Sequence, residues 1–86
     1  MKLENSNFTI YEVEDVKNLF QTLLMEKDKI VVDFENISKI DMSAIQLLLS
    51  LKKTSLEHNK SFQIINISDD IAHAFNISGC AYILGV

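Results

Sequence analysis

The chain has 86 residues, 48% of them hydrophobic, a length that suits one compact domain and a composition too apolar for disorder. Its net charge is −4 and its eight basic residues are all lysine, so it lacks the positive field and the guanidinium forks that nucleic-acid backbones favour. A single cysteine, Cys80, excludes an intramolecular disulfide, and no window approaches the ~18 apolar residues of a membrane span. The opening residues have no apolar run of signal-peptide length. The expectation is a single cytoplasmic domain over residues 1–86, with no nucleic-acid partner and no direct membrane insertion.

Taken in chain order, the first element is a weak strand over Lys2–Glu4. A turn at Asn5–Asn7 and an extended stretch over Phe8–Ile10 follow. "TIYE" at Thr9–Glu12 has the form of a capping box and opens a helix. Val13, Val16, Leu19, Phe20, Leu23 and Leu24 then fall within an arc of about 140°, a one-sided stripe. Glu12, Glu14 and Asp15 suit the positive end of the helix dipole in its first turn. "KIVVDF" reads as a buried strand, and "SFQIINI" at Ser61–Ile67 as another. A helix from about Ser43 to Glu57 lies between them. Ser68 is the expected N-cap of a short helix through Phe75, with Asp69 and Asp70 in its first turn and Gly79 as its C-terminal stop. "AYILGV" closes the chain as a strand or apolar tail. Strands alternating with helices predict an α/β layer fold with parallel central strands. The short first strand is placed at an edge, where antiparallel pairing is open to it.

"NIS" occurs at Asn36–Ser38, Asn66–Ser68 and Asn76–Ser78, at unequal spacing that argues against a repeat. These tripeptides are read as turn chemistry, not glycosylation sites, because no secretory signal precedes them.

The most informative joint is Asp41-Met42-Ser43, where a strand and loop hand over to the leucine-rich helix. Helix N-termini expose unpaired N–H groups, and either Asp41 or Ser43 is chemically able to cap them. Ala44, Ile45, Leu47, Leu48, Leu49 and Leu51 span an arc of about 200°, wider than a sheet-covering helix needs. Two explanations stand: packing on a second helix, or a docking surface around Met42 and Ile45 for another protein.

Several chemistries lack their residues. The two glycines, Gly79 and Gly85, cannot form a phosphate-cradling loop. His58 and His73 have no metal-ligand spacing with Cys80, which reads as a small buried hydrophobe. Asp69 and Asp70 are helix-start residues, and no nucleophile–base pair is evident. The expectation is a protein that is not an enzyme and holds no cofactor or metal.

In the order and spacing of "IVVDFENISKIDMSAIQLLLSLKK", "NKSFQIINISDDIAHAF" and "NISGCAYIL", nearly the whole chain resembles the STAS family of sulfate transporter and anti-sigma-factor antagonist domains. The resemblance implies a small mixed sheet of about four strands with three helices in βαβαβα(β) order. It also implies partner switching, in which an unphosphorylated domain binds a serine-kinase anti-sigma factor and phosphorylation beside the helix N-terminus releases it. Phosphate adds about −1.5 to −2 charges, which a close-fitting partner would have to desolvate. The variant "DMSAIQLLLSLKK" looks closest to stand-alone bacterial members of chemosensory systems.

The chain departs from that pattern at Met42 and at Ala44, which replaces the usual Gly, and its short opening trims the usual hairpin to one strand. The residue directly after the Asp, usually the phosphoacceptor, is Met42. Ser43 is the candidate acceptor instead, but a one-residue shift turns a helical side chain by about 100°. The expected outcome is an altered or lost switch. Under this reading Asp41, Met42, Ser43 and Ile45 bind a kinase-like or chemosensory partner, with Asp41 holding the loop and Met42 and Ile45 in apolar contact. A second reading makes the chain an accessory STAS subunit of an ABC-type, Mla-like transporter ATPase. A third, nucleotide binding in the strand–helix crevice, lacks a glycine loop and an arginine.

Overall fold

The computed structural model describes residues 1–80, so the expected closing strand in "AYILGV" lies outside the described residues. Four strands and three helices follow one another: β1 (Asn7–Phe8), α1 (Val13–Glu26), β2 (Lys29–Asp33), β3 (Lys39–Ile40), α2 (Met42–Glu57), β4 (Ser61–Ile65) and α3 (Asp69–Ser78). This is the small STAS-like α/β order read from the sequence, with the two-residue β3 added ahead of α2.

β2 and β4 pair in parallel, Lys29 opposite Ser61 through Asp33 opposite Ile65. β1 pairs in parallel with β3, Asn7 opposite Lys39 and Phe8 opposite Ile40. Residues 1–3 continue the same layer beside β2. The Asp33 amide donates to Met1 O (2.8 Å) and the Leu3 amide to Asp33 O (3.2 Å), with a parallel bridge from Lys2 to Asp33. The opening strand is therefore parallel, not antiparallel. Its direction is set by the α1 crossover, which returns the chain to the same end of the sheet before β2 begins.

The hydrophobic pattern explains the packing. In β2 the alternation puts Ile30 and Val32 fully inside, and Phe34 follows them. Phe34 meets Phe8 edge to face, with centroids 6.0 Å apart, which ties the two strand pairs together. Val16 and Phe20 of α1 are buried, and Val13, Leu23 and Leu24 pack partly against the core. Burial of Phe20 alone stabilises by roughly 1.5–3 kcal/mol. Leu19, expected in the same stripe, is 52% exposed and borders the open cleft between α1 and residues 1–8.

Local chemistry sets the helix ends. The capping box forms by half: the Glu12 carboxylate accepts from the Thr9 amide (2.8 Å) and hydroxyl (2.9 Å). Because that hydroxyl is turned to Glu12, it caps nothing, and α1 starts only at Val13. Glu12 thus precedes the first turn instead of standing within it. Ser68 caps α3 through the Ile71 amide (3.3 Å), as anticipated. α3 continues past Phe75 to Ser78 and stops at Gly79, whose φ of +76° suits glycine.

Candidate functional site

The wide apolar arc of α2 is largely occupied by its neighbours. The helix lies against both α1 and β4, and Ala44, Ile45, Leu48 and Leu51 are enclosed while Leu47 and Leu49 are partly so. The plain explanation of the arc, packing on a second helix as well as the sheet, accounts for these leucines. Ile45, expected to offer apolar contact, is 3% exposed. A β-branched side chain one turn into the helix points down onto the core, so it can only form the floor of a surface feature.

What stays open is the corner where α2 begins. Met42, its first residue, is 51% exposed, and Ile77 of α3 is 74% exposed. Between them lies a shallow cavity of about 470 Å³ lined by Ile40, Asp41, Met42, Ile45, Ala74 and Ile77. Ile77 was not singled out from the sequence. The signal was there: Ile71 and Phe75 form the buried stripe of α3, and Ile77 lies about 200° round from Phe75. An apolar residue off its stripe marks a surface with another use. Ser43 is half-buried on the second position of α2.

Asp41 organises this corner. Its backbone is extended (φ −125°, ψ 178°), as an N-cap requires. Oδ1 accepts from the Ala44 amide at 3.0 Å and closes the first turn of α2. Oδ2 accepts from the Ile10 amide, also at 3.0 Å. One carboxylate thus joins the start of α2 to the Thr9–Glu12 turn that leads into α1. The turn brings two further exposed apolar residues, Ile10 and Tyr11, beside the site, and Tyr11 is 88% exposed.

A second carboxylate, Asp33 at the end of β2, has a structural task. Its Oδ1 accepts from Asn66 Nδ2 (3.1 Å) and from the Glu35 amide (2.9 Å), and the Asn66 bond first, then that amide, hold its carboxyl pKa below the ordinary aspartate value. Asn66 adopts a left-handed backbone (φ +58°), which Asn tolerates better than most residues.

The remaining candidates are dispersed. His58 caps the C-terminus of α2 with Nδ1 2.9 Å from Thr54 O, and His73 lies exposed on α3. Cys80 is half-buried and packs against the core edge. Among the described residues no group of three His, Cys, Asp or Glu is placed to hold a metal, and no helix is long and apolar enough to cross a membrane. A larger cleft of about 530 Å³ lies between residues 1–8 and α1, and it shares no lining residue with the Met42 cavity.

Comparison with known proteins agrees with this architecture. The fold is similar to that of a sulfate transporter family protein from Wolinella succinogenes, known from its crystal structure, with a TM-score of 0.84. The match covers 99% of this chain and 69% of that one at 14% identity, so the likeness is one of fold. No curated protein matches the chain. A family model described as "Mlab, STAS domain" matches residues 5–85. With that match spanning almost its whole length, the chain belongs to the STAS domain family, a family of non-catalytic modules.

Proposed function

We propose that the protein is a transporter-associated STAS subunit of the Mla-like kind, docking onto a cytoplasmic ABC-type ATPase through the corner around Met42. The single observation that carries this is the open apolar corner at the start of α2, on a chain whose family model is described as "Mlab, STAS domain". Met42 supplies a flexible, polarizable contact, and Ile77 flanks it across the cavity. Asp41 holds the corner rigid and does not itself reach for the partner, because both its oxygens already accept amides. Ser43 is a polar anchor on the second residue of α2.

The anti-sigma-antagonist reading, with a serine kinase or chemosensory partner, shares the same surface but has less support. The exposed position directly after the Asp carries a thioether that cannot accept a phosphate, and Ser43, the remaining hydroxyl, is half-buried. In our reading binding is constitutive.

The test is affinity purification of the protein from its own cell, beside a Met42→Asp variant. Asp suits the first residue of a helix, so the variant keeps the fold. Recovery of an ABC ATPase by the natural protein and its loss by the variant is expected. Recovery of a histidine-kinase-like protein instead would favour the antagonist reading. Undiminished recovery of every partner by Met42→Asp would remove the corner from the interface.

A further inference from the structure

Residues 1–4 run along an edge of the sheet. Met1 and Leu3 turn their backbone groups inward: the Met1 ammonium donates to Val31 O (2.7 Å), Met1 O accepts from the Asp33 amide (2.8 Å), and the Leu3 amide donates to Asp33 O (3.2 Å). Strand alternation turns the amides and carbonyls of Lys2 and Glu4 the other way, and among the described residues these backbone groups have no hydrogen-bond partner. The cleft of about 530 Å³ follows this edge, lined by Lys2, Glu4 and Phe8 on one side and by Val16, Leu19 and Leu23 of α1 on the other. Leu19 is half exposed there. Open backbone groups on an edge are a template for another strand, and the apolar wall of α1 gives that strand a surface to cover.

We propose that this edge takes a second copy of the chain, the two edge strands pairing antiparallel about a twofold axis at Leu3. In that register Lys2 stands opposite Glu4 of the second copy, and Glu4 opposite its Lys2. Each of these pairs exchanges N–H···O=C bonds in both directions, which engages the outward backbone groups of Lys2 and Glu4. Each also sets an ammonium across from a carboxylate. Sliding the strands by two residues either way sets Glu4 against Glu4 or Lys2 against Lys2, which like-charge repulsion disfavours. Lys2 Nζ already lies 3.0 Å from Glu35 Oε2, but both side chains are more than half exposed, so that pair is weak enough to be shared. Glu4 is exposed and has no ion pair among the described residues. Pairing over so short an edge buries little surface, so the dimer forms only at high protein concentration. The edge shares no lining residue with the Met42 cavity, and the inference is independent of the transporter reading.

The test is a dilution series of the ¹⁵N-labelled protein by NMR, from about 2 mM to about 0.05 mM. The amides of residues 2–5, with those of Leu19 and Leu23, are expected to shift with concentration. Lys2→Glu and Glu4→Lys change exposed positions, so each variant keeps the fold. Alone, each sets like charges across the edge and is expected to weaken self-association by about tenfold or more. An equimolar mixture sets the two carboxylates of one variant against the two ammonium groups of the other, and is expected to restore it. No concentration-dependent shift up to about 2 mM overturns the proposal. Shifts centred on Met42 and Ile77 would seat the second copy on the other surface and overturn it too, as would a mixture no more associated than either variant alone. If residues 2–5 ignore concentration but shift on addition of an alternating valine–lysine peptide of about eight residues, the edge takes a foreign strand and the second copy is overturned as its occupant.

Discussion

Replacing Asp41 separates two tasks performed by one side chain. In Asp41→Ala the Ala44 amide loses its cap and the Ile10 amide its partner, both bonds being 3.0 Å long. Removal of an N-cap costs roughly 1 kcal/mol, and loss of a second, partly exposed bond to a carboxylate about as much again. For a domain of this size about 2 kcal/mol lowers Tm by on the order of 10 °C. Asn caps helices as well as Asp, but it has a single acceptor oxygen, and its amide nitrogen would face the Ile10 N–H as donor against donor. Asp41→Asn is therefore expected to lose only the second share, about 1 kcal/mol and roughly 5 °C. Thermal unfolding of both variants tests the order, and hydrogen exchange tests the assignment. The Ile10 amide exchanges faster in both variants, the Ala44 amide only in Asp41→Ala. Equal destabilisation by the two substitutions, with Ala44 unprotected in both, would refute the division of labour between the two oxygens.

Other consequences follow from the same geometry. Ile45→Ala removes an enclosed side chain and is expected to cost roughly 2–5 kcal/mol in urea unfolding, whereas Met42→Ala costs under about 0.5 kcal/mol, so the two neighbours separate folding from surface contact. Asn66→Ala removes the larger of the two bonds that depress the pKa of Asp33, so its carboxyl pKa, read by NMR, rises toward the ordinary value. A depressed carboxylate stabilises the fold above its unfolded pKa and loses that contribution as pH falls through the folded value. The variant's deficit is therefore expected to be largest above about pH 4 and to shrink in stronger acid to the pH-independent cost of Ala at the left-handed φ of +58°. Gly79→Ala places a Cβ on a left-handed residue with no atom of the described residues in the way, so the cost is conformational, about 1 kcal/mol by thermal unfolding; a neutral result would mean that α3 ends without that turn.

The sequence alone determined what depends on neighbours a few residues away. Ser68 and Gly79 bracket α3 because capping and left-handed turns are local bargains between a side chain and the nearest amides. β2, α2 and β4 were legible from period and β-branching, and their order and spacing carried the family resemblance. Tertiary structure decided what depends on which element lies alongside. The parallel direction of the opening strand, the existence of β3, and the exposure of Leu19 all follow from partners distant in the chain. So does the division of the leucine-rich helix. A helical wheel shows a face as apolar but cannot show whether a neighbour already covers it, and here α2 lies against α1 and β4 with Ile45 enclosed and Met42 uncovered. Ile10 and Asp41 lie thirty-one positions apart, and only the folded chain brings that amide to that carboxylate.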